Sequence, residues 1–399
     1  MYLKNHIKSK YFKDKSFKSL SKKFDRIFSE IKLDIKNDKK TLNVLDNNLK
    51  FNFKIQELTL FKKFKTIVLV GMGGSILGSE AIYNFFQSKI KKKIYFLNDL
   101  NEIKLTNLKK KNLSEILFII VSKSGNTLET LSNTFALNIL KKNAKNIIFI
   151  SEKKDNYLFS LSQKLNLFYI EHKNTIGGRY SVLSEVGLIP AFLMGVDIFK
   201  LRSKTLECLK GKNKIFLKNS SIKLAKLINA KKFNNLIFLN YVPELQNFLF
   251  WCQQLVAESL GKKNKGILPM VSTAPKDHHS LLQLYLDGPK NKIFSIFSFE
   301  KKSKFKININ KNLRINSFLN KKNVNDIKNA QKNALIKSFL KKNIPFREFR
   351  INKINEEVLG KLFSYFIVET IIIGKLLNIN PYDQPAVEKV KIYTKQLLS

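Results

Sequence analysis

The run TIVLVGMGGSILGSEAIYNFF at residues 66–86 decides how the rest of the chain is read. Its opening residues are β-branched or apolar without polar alternation, the pattern of a short strand buried on both faces. Gly71, Gly73, Gly74 and Gly78 then break the run, and an apolar-faced helix follows. Strand, polar turn and helix return in the same order in LFIIVSKSGNTLETLSNTFALNIL, residues 117–140. Further strand-like runs are KIYFLND (93–99), NIIFIS (146–151) and LFYIEH (167–172). This alternation predicts an α/β fold with a mostly parallel sheet covered by helices.

Upstream, residues 1–60 are lysine-rich, and Phe24, Ile27, Phe28 and Ile31 fall on one helical face, so this part reads as a helical lead-in. Downstream, GGRYSVLSEVGLIPAFLMG (177–195) is a polar loop feeding an apolar helix. A lysine-rich stretch at 201–218 marks the candidate boundary, after which the scheme restarts. A helix near 221–230, the strand NLIFLN (235–240), a helix through WCQQLVAESLGK (251–262) and the strand KIFSIFSF (292–299) follow. Residues 300–325 are polar and poorly patterned, an excursion between elements; 326–341 and 356–377 read as helices, with Pro345 interrupting between them. The expected organisation is a lead-in (1–60), one α/β unit (61–205), a second (206–375) and a C-terminal segment (376–399). In that last segment NPYDQPAVEKVK (380–391) reads as a turn and the first turns of a helix, with Pro385 suited to the first turn and Gln384 and Lys391 about two turns apart on one side.

With 399 residues and 44% hydrophobic content, the chain is long enough for about two or three domains with a sizeable core. Its 73 basic and 30 acidic residues give a formal charge of +43, a field that attracts anions. The excess is nearly all lysine, spread from end to end, with no arginine-rich recognition helix or zinc spacing, so specific nucleic-acid binding is not expected. Cys208 and Cys252 give no disulfide framework, and no early apolar stretch follows the charged N-terminus, so the expected location is a reducing cytoplasm. FSYFIVETIIIGKLLNI (363–379) carries Glu369 and Lys375 and reads as a buried helix rather than a membrane span.

In open α/β sheets ligands collect beyond the carboxyl ends of strands. Gly71, Gly73, Gly74, Ser75 and Gly78 would let backbone N–H groups approach an anion there, although GMGGSILG lacks the usual dinucleotide spacing. Ser122, Lys123, Ser124 and Thr127 surround a helix start with three hydroxyls and an ammonium, suiting a monophosphate; Asn126 and Glu129 have capping-box spacing, so the alternative is a capped helix. No nucleoside-triphosphate loop is present. Arg179 follows two glycines and is either a ligand contact or the partner of Glu185. Glu258, on an otherwise apolar helix face, is either a working carboxylate or the partner of Lys262. His278 and His279 are adjacent and diverge, with no third ligand spaced to make a metal site.

Six segments together, VGMGGSILGSEA, SKSGNTLET, GGRYSVLSEVGL, QLVAESLGKKNKGILP, DHHSLLQLYLDGP and NPYDQPAVEKVK, resemble in the same order the characteristic segments of the glucose-6-phosphate isomerase family, in its bacterial form. They span residues 70–391. The resemblance implies two tandem sugar-isomerase (SIS) type three-layer α/β/α sandwich domains and a homodimer acting on a small sugar phosphate without metal or organic cofactor. It further implies that Gly74, Ser75, Ser122, Lys123, Ser124 and Thr127 hold the substrate's phosphate and sugar end, with Gln254 and Gln384 as further contacts. Glu258 aligns with the general base, Arg179 with the arginine beside the enediolate, and Lys391 with the lysine at the ring oxygen. His279 aligns with the ring-opening histidine, which the family draws from the neighbouring subunit. His278 stands where bacterial members usually carry Gln, and the segment before it is shorter. Ala386 replaces a usual Gly, a cost of order 1 kcal/mol if that position requires positive φ. The chain is also short for the family. Rival readings are a dual phosphoglucose/phosphomannose isomerase and a non-catalytic sugar-phosphate sensor.

Overall fold

The computed structural model describes residues 2–8, 14–300, 305–310 and 318–398. Among the described residues, ten strands form two five-stranded sheets: β1 (Tyr2–Asn5), β2 (Thr66–Val70), β3 (Lys93–Leu97), β4 (Ile116–Val121), β5 (Ile147–Ser151), β6 (Phe168–Glu171), β7 (Asn235–Asn240), β8 (Leu268–Thr273), β9 (Lys292–Phe299) and β10 (Phe346–Ile351). The first sheet has the order β3-β2-β4-β5-β6 and is wholly parallel. The second has the order β1-β10-β9-β7-β8; only the pairing of β1 with β10 is antiparallel. Leaving aside the added edge strand β1, in both sheets the chain starts at an inner strand (β2 or β7), steps to the edge on one side (β3 or β8), then crosses to build the other side. Each therefore has one reversal of winding, between β2 and β4 in the first sheet and between β7 and β9 in the second, where such sheets open a crevice at the carboxyl ends.

Burial on both faces explains the unbroken apolar strands. In β2, Ile67 and Leu69 face a central core while Val68 and Val70 face an outer one; in β4, Leu117, Ile119 and Val121 face the centre and Ile116, Phe118 and Ile120 the outside. The second sheet does the same, with Leu236, Phe238, Phe297 and Phe349 inward and Ile237, Leu239, Phe294 and Phe346 outward. The inward faces of both sheets belong to one continuous apolar core. Helices Leu77–Phe86 and Gln246–Leu260 pack against each other across that core, and Glu356–Leu376 packs on the second of them. The lead-in helix Asp14–Lys36 buries Phe24, Ile27, Phe28 and Ile31, as its pattern predicts.

Three strands differ from the sequence-based expectation. The chain near Tyr2 forms an edge strand, β1, within the segment read as helical. β8 tolerates Pro269 because it too is an edge strand. β10, FREFRI, hides its strand character behind buried charges. Arg347 donates to Ser295 Oγ (2.8 Å) and Ser220 Oγ (2.7 Å) and pairs with Glu369, which also accepts from Tyr365 OH (2.7 Å). Glu348 bonds to His6 Nε2 (2.7 Å) and Arg350 Nη2 (2.6 Å). Each buried charge has its partner within reach, so the polar letters cost the strand little. The candidate boundary at 201–218 is helical, being occupied by Ile198–Arg202, a 3-10 turn Thr205–Leu209 and the start of Gly211–Asn229. Part of the 300–325 excursion lies outside the described residues; in the rest, Lys306 and Asn323 form an isolated antiparallel bridge. Among the described residues no helix is long and apolar enough to cross a membrane.

Candidate active site

Helix Gln246–Leu260 leaves β7 and buries Trp251, Cys252, Leu255, Val256 and Leu260, so Gln254 and Glu258, one turn apart, share its remaining face. Gln254 Nε2 donates to Glu258 Oε1 at 2.9 Å. Glu258 keeps 34% of its side chain exposed, enough for a ligand to reach the carboxylate. The alternative pairing of Glu258 with Lys262 is not made: Lys262 Nζ donates instead to the Asp383 backbone carbonyl (2.6 Å) and Asp383 Oδ1 (2.8 Å). That ammonium holds the Asp383 carboxyl below the usual carboxylate range.

Arg179 lies buried in the 3-10 turn Gly178–Leu183 with its planar fork fully used. Nε donates to Ser259 Oγ (2.9 Å), Nη1 to Glu258 Oε2 (3.3 Å) and Gln384 Oε1 (3.0 Å), and Nη2 to the carbonyls of Pro381 (2.6 Å) and Asp383 (3.1 Å). Tyr180 OH lies 2.9 Å from Ser259 Oγ and donates to the Pro381 carbonyl at 2.7 Å. Since tyrosine has one hydroxyl proton, Ser259 must donate to Tyr180 and accept from Arg179, which fixes one direction along the relay. Burial pushes the Tyr180 phenol up, keeping that proton in place. The alternative partner of Arg179, Glu185, is instead 2.9 Å from His172 Nδ1. One arginine thus ties together three distant stretches: the 178–183 turn, the Glu258 helix and the 380–384 turn.

The glycine turn after β2 closes onto this group. Gly73 takes φ +51°, and a Cβ there would stand 2.6 Å from Gln254 Nε2; one on Gly74 would stand 2.6 Å from the Arg179 amide nitrogen. Ser75 completes the 3-10 turn Gly73–Ser75. Beside it, at the end of the adjacent β4, Ser122 Oγ and Thr127 Oγ1 are 2.8 Å apart, and Ser124 Oγ accepts from the Asn126 amide at 3.3 Å. The capping box does not form: Asn126 Oδ1 accepts from the Tyr157 amide (2.9 Å), and helix Leu128–Ala136 begins at Thr127 without a side-chain cap. Its first N–H groups therefore have neither an intrahelical partner nor a cap from the Thr127 side chain. Lys123 Nζ donates to the Asn174 carbonyl (2.9 Å) and lies 3.5 Å from Glu152; burial lowers its pKa, Glu152 opposes that, and the Arg179 charge adds to the lowering.

Two expected residues are not brought to this group within one chain. His279 lies exposed in the 3-10 turn Lys276–His279 after β8, a turn fixed by Asp277 Oδ2 accepting from the Thr273 amide and Ser272 Oγ, both at 2.8 Å. Its neighbour His278 bonds to Tyr241 OH at 2.7 Å, and burial, followed by the His279 charge, lowers its pKa. Lys391 bonds to Glu388 Oε1 (2.7 Å) on helix Glu388–Leu398, no residue of which is buried. Gln384 precedes that helix and a 3-10 turn, Pro385–Val387, intervenes, so Gln384 and Lys391 do not share a helical side as expected. Ala386 sits in that 3-10 turn and is not among the residues of positive φ, so it carries no backbone strain. Sequence reading missed Ser259, Tyr180 and the Lys262–Asp383 contact. A hydroxyl next to Glu258 inside an apolar helix was the available signal for Ser259.

The two-sheet α/β fold, with a solvent-reachable carboxylate near a hydroxyl-rich turn, is that of a chain in the sugar-phosphate isomerase class, to which the family match assigns it. Within that class the chain belongs to the phosphoglucose isomerase family, whose model matches residues 43–399. It is similar to the glucose-6-phosphate isomerase of Methanocaldococcus jannaschii, at 36% identity over 350 residues covering 82% of this chain and 83% of that one. It is also similar to that of Campylobacter jejuni, at 32% over 377 residues covering 90% of each. The fold matches a crystal structure of a glucose-6-phosphate isomerase from Chlamydia trachomatis with TM-score 0.77, at 18% identity over 97% of this chain and 86% of that one. A hypothetical protein from Thermus thermophilus matches with TM-score 0.85, at 22% identity over 100% and 99% of the two chains.

Proposed function

We propose that the protein interconverts glucose 6-phosphate and fructose 6-phosphate through ring opening and an enediolate. The observation that carries this reading is the single contact set in which Arg179 bridges Glu258 and Gln384 while Gln254 holds the other carboxylate oxygen. Substrate phosphate is held by Ser122, Ser124, Thr127 and Lys123 with the N–H groups of helix Leu128–Ala136, and the sugar lies along Gly74, Ser75, Gln254 and Gln384. Glu258 takes the proton from C2 and returns it to C1 on the same face. Arg179 stabilises the oxygen that becomes negative only in between. Ring opening needs one proton removed from the anomeric hydroxyl and one given to the ring oxygen, tasks for His279 and Lys391. His279 is exposed here, which fits its delivery by a second copy of the chain, and Lys391 approaches when helix Glu388–Leu398 packs onto the body. The two sheets, with the same winding, are two tandem SIS-type sandwich domains, 61–205 and 206–375, preceded by the lead-in and followed by the lysine-bearing segment.

Turnover of fructose 6-phosphate by the purified protein tests this, with Glu258→Gln expected to lose about 10²- to 10⁴-fold in kcat. An inactive parent, or a variant with near-parent turnover, overturns it. Co-expression of Glu258→Gln with His279→Ala chains tests the shared site: if His279 crosses over, mixed dimers regain one complete site, and if each chain is self-sufficient they regain none.

A further inference from the structure

The second sheet repeats the winding of the first, and its reversal between β7 and β9 is also hollow. A cavity of about 120 Å³ lies there, lined by Tyr241 and Glu244 from the segment after β7, Ser298 at the end of β9, and Lys328 and Asn329 on helix Val324–Lys341. None of these groups belongs to the Arg179 and Glu258 site. Ser298 is 2% exposed, and its hydroxyl has no hydrogen-bond partner among the described residues. A buried hydroxyl left unpaired is costly and uncommon. Tyr241 holds its hydroxyl 2.7 Å from His278 Nε2. Glu244 and Lys328 form no ion pair with any described residue, each other included, although they line the same small cavity. Opposite charges that share a cavity without meeting leave a gap to be bridged.

We propose that this crevice binds a small zwitterionic amino acid, its carboxylate at Lys328 and Asn329, its ammonium at Glu244, and Ser298 hydrogen-bonded to it from the cavity wall. Size and charge both favour this class. At about 120 Å³ the cavity is small, which suits a ligand the size of glycine, alanine or serine. A phosphate would find Lys328 but be repelled by Glu244, and a simple amine would meet the reverse. The crevice lies where doubly wound sheets commonly receive ligands, so no rearrangement of strands is needed to admit one.

Titration calorimetry of the full-length protein with glycine, L-alanine and L-serine tests the assignment, with inorganic phosphate and ethanolamine as single-charge probes. At least one amino acid should bind saturably at one site, and both single-charge probes at least tenfold more weakly. Glu244→Gln and Lys328→Met, at positions that leave the fold intact, should each weaken that binding tenfold or more; Ser298→Ala should weaken it severalfold. No saturable binding by any of the three amino acids overturns the proposal. So does affinity unchanged in either charge variant, or a single-charge probe binding as tightly as the best amino acid.

Discussion

Replacing Gly74 by alanine offers a sharp test of how the site is assembled. A Cβ at Gly74 would stand 2.6 Å from the Arg179 amide nitrogen and nearer still to the Gly178 carbonyl, where ordinary contact begins at 3.4 Å. Both neighbours are backbone, and the Gly178 carbonyl carbon would be only 2.3 Å away, so the 178–179 segment has to retreat by about 1.1 Å, carrying the root of the arginine fork with it. Misplacement on that scale costs about 100-fold in rate, or about 2.7 kcal/mol of barrier, with about 1–3 kcal/mol lost from stability through overpacking. Gly74 is not among the glycines of positive φ, so the effect comes from close approach and not from backbone conformation. Gly178 supplies the control: a Cβ there meets only Gly74 Cα at 3.9 Å, and Gly178→Ala should be nearly neutral. Steady-state kcat/KM for isomerisation, measured beside thermal melting, reads both. If Gly74→Ala keeps kcat/KM within about threefold of the parent, or Gly178→Ala loses as much, the close contact does not place Arg179.

Ser259→Ala removes the oxygen that accepts from Arg179 Nε and donates to Tyr180, leaving the buried Arg179 Nε–H unpaired; a stability loss of about 1–3 kcal/mol is expected, with kcat falling more than KM rises, and an unchanged melting temperature would contradict it. Lys123 has its pKa lowered by burial from the ordinary 10.5, and only the ammonium binds phosphate, so affinity for 6-phosphogluconate should fall with rising pH before an ordinary lysine would titrate. Lys123→Ala should weaken that affinity about 10- to 100-fold near neutrality and abolish the alkaline decline, and calorimetry showing the same pH dependence in both proteins would remove Lys123 from the site.

The inner strands of the first sheet, β2, β4 and β5, were legible because each is buried on both faces and reads as an unbroken apolar run, while the half-exposed edge strands β3 and β6 still carry short aromatic and β-branched runs. β10 was not, because Arg347 is neutralised by Glu369 and Glu348 is held by His6, partners 22 and 342 residues away that no local pattern reveals. The site shows the same division. Glu258 and Arg179 stood out as polar groups in apolar or glycine-rich surroundings, and their local alternatives, Lys262 and Glu185, proved to be engaged elsewhere. What the letters could not convey is that Asp383 and Pro381 serve Arg179 through their carbonyls, since backbone acceptors leave no mark on residue type. The expected alignment of Gln384 with Lys391 assumed one continuous helix, and the 3-10 turn Pro385–Val387 changes the direction between them.

The single apolar layer between the two sheets has a consequence for how the molecule melts. Because Leu69 and Ile119 from one side and Phe238 and Phe297 from the other are parts of the same interior, neither half can open without wetting the other's inner face. Heating should therefore give one cooperative transition. A chain severed near residue 205 would leave two pieces that are insoluble apart and recover their solubility only when they are refolded together.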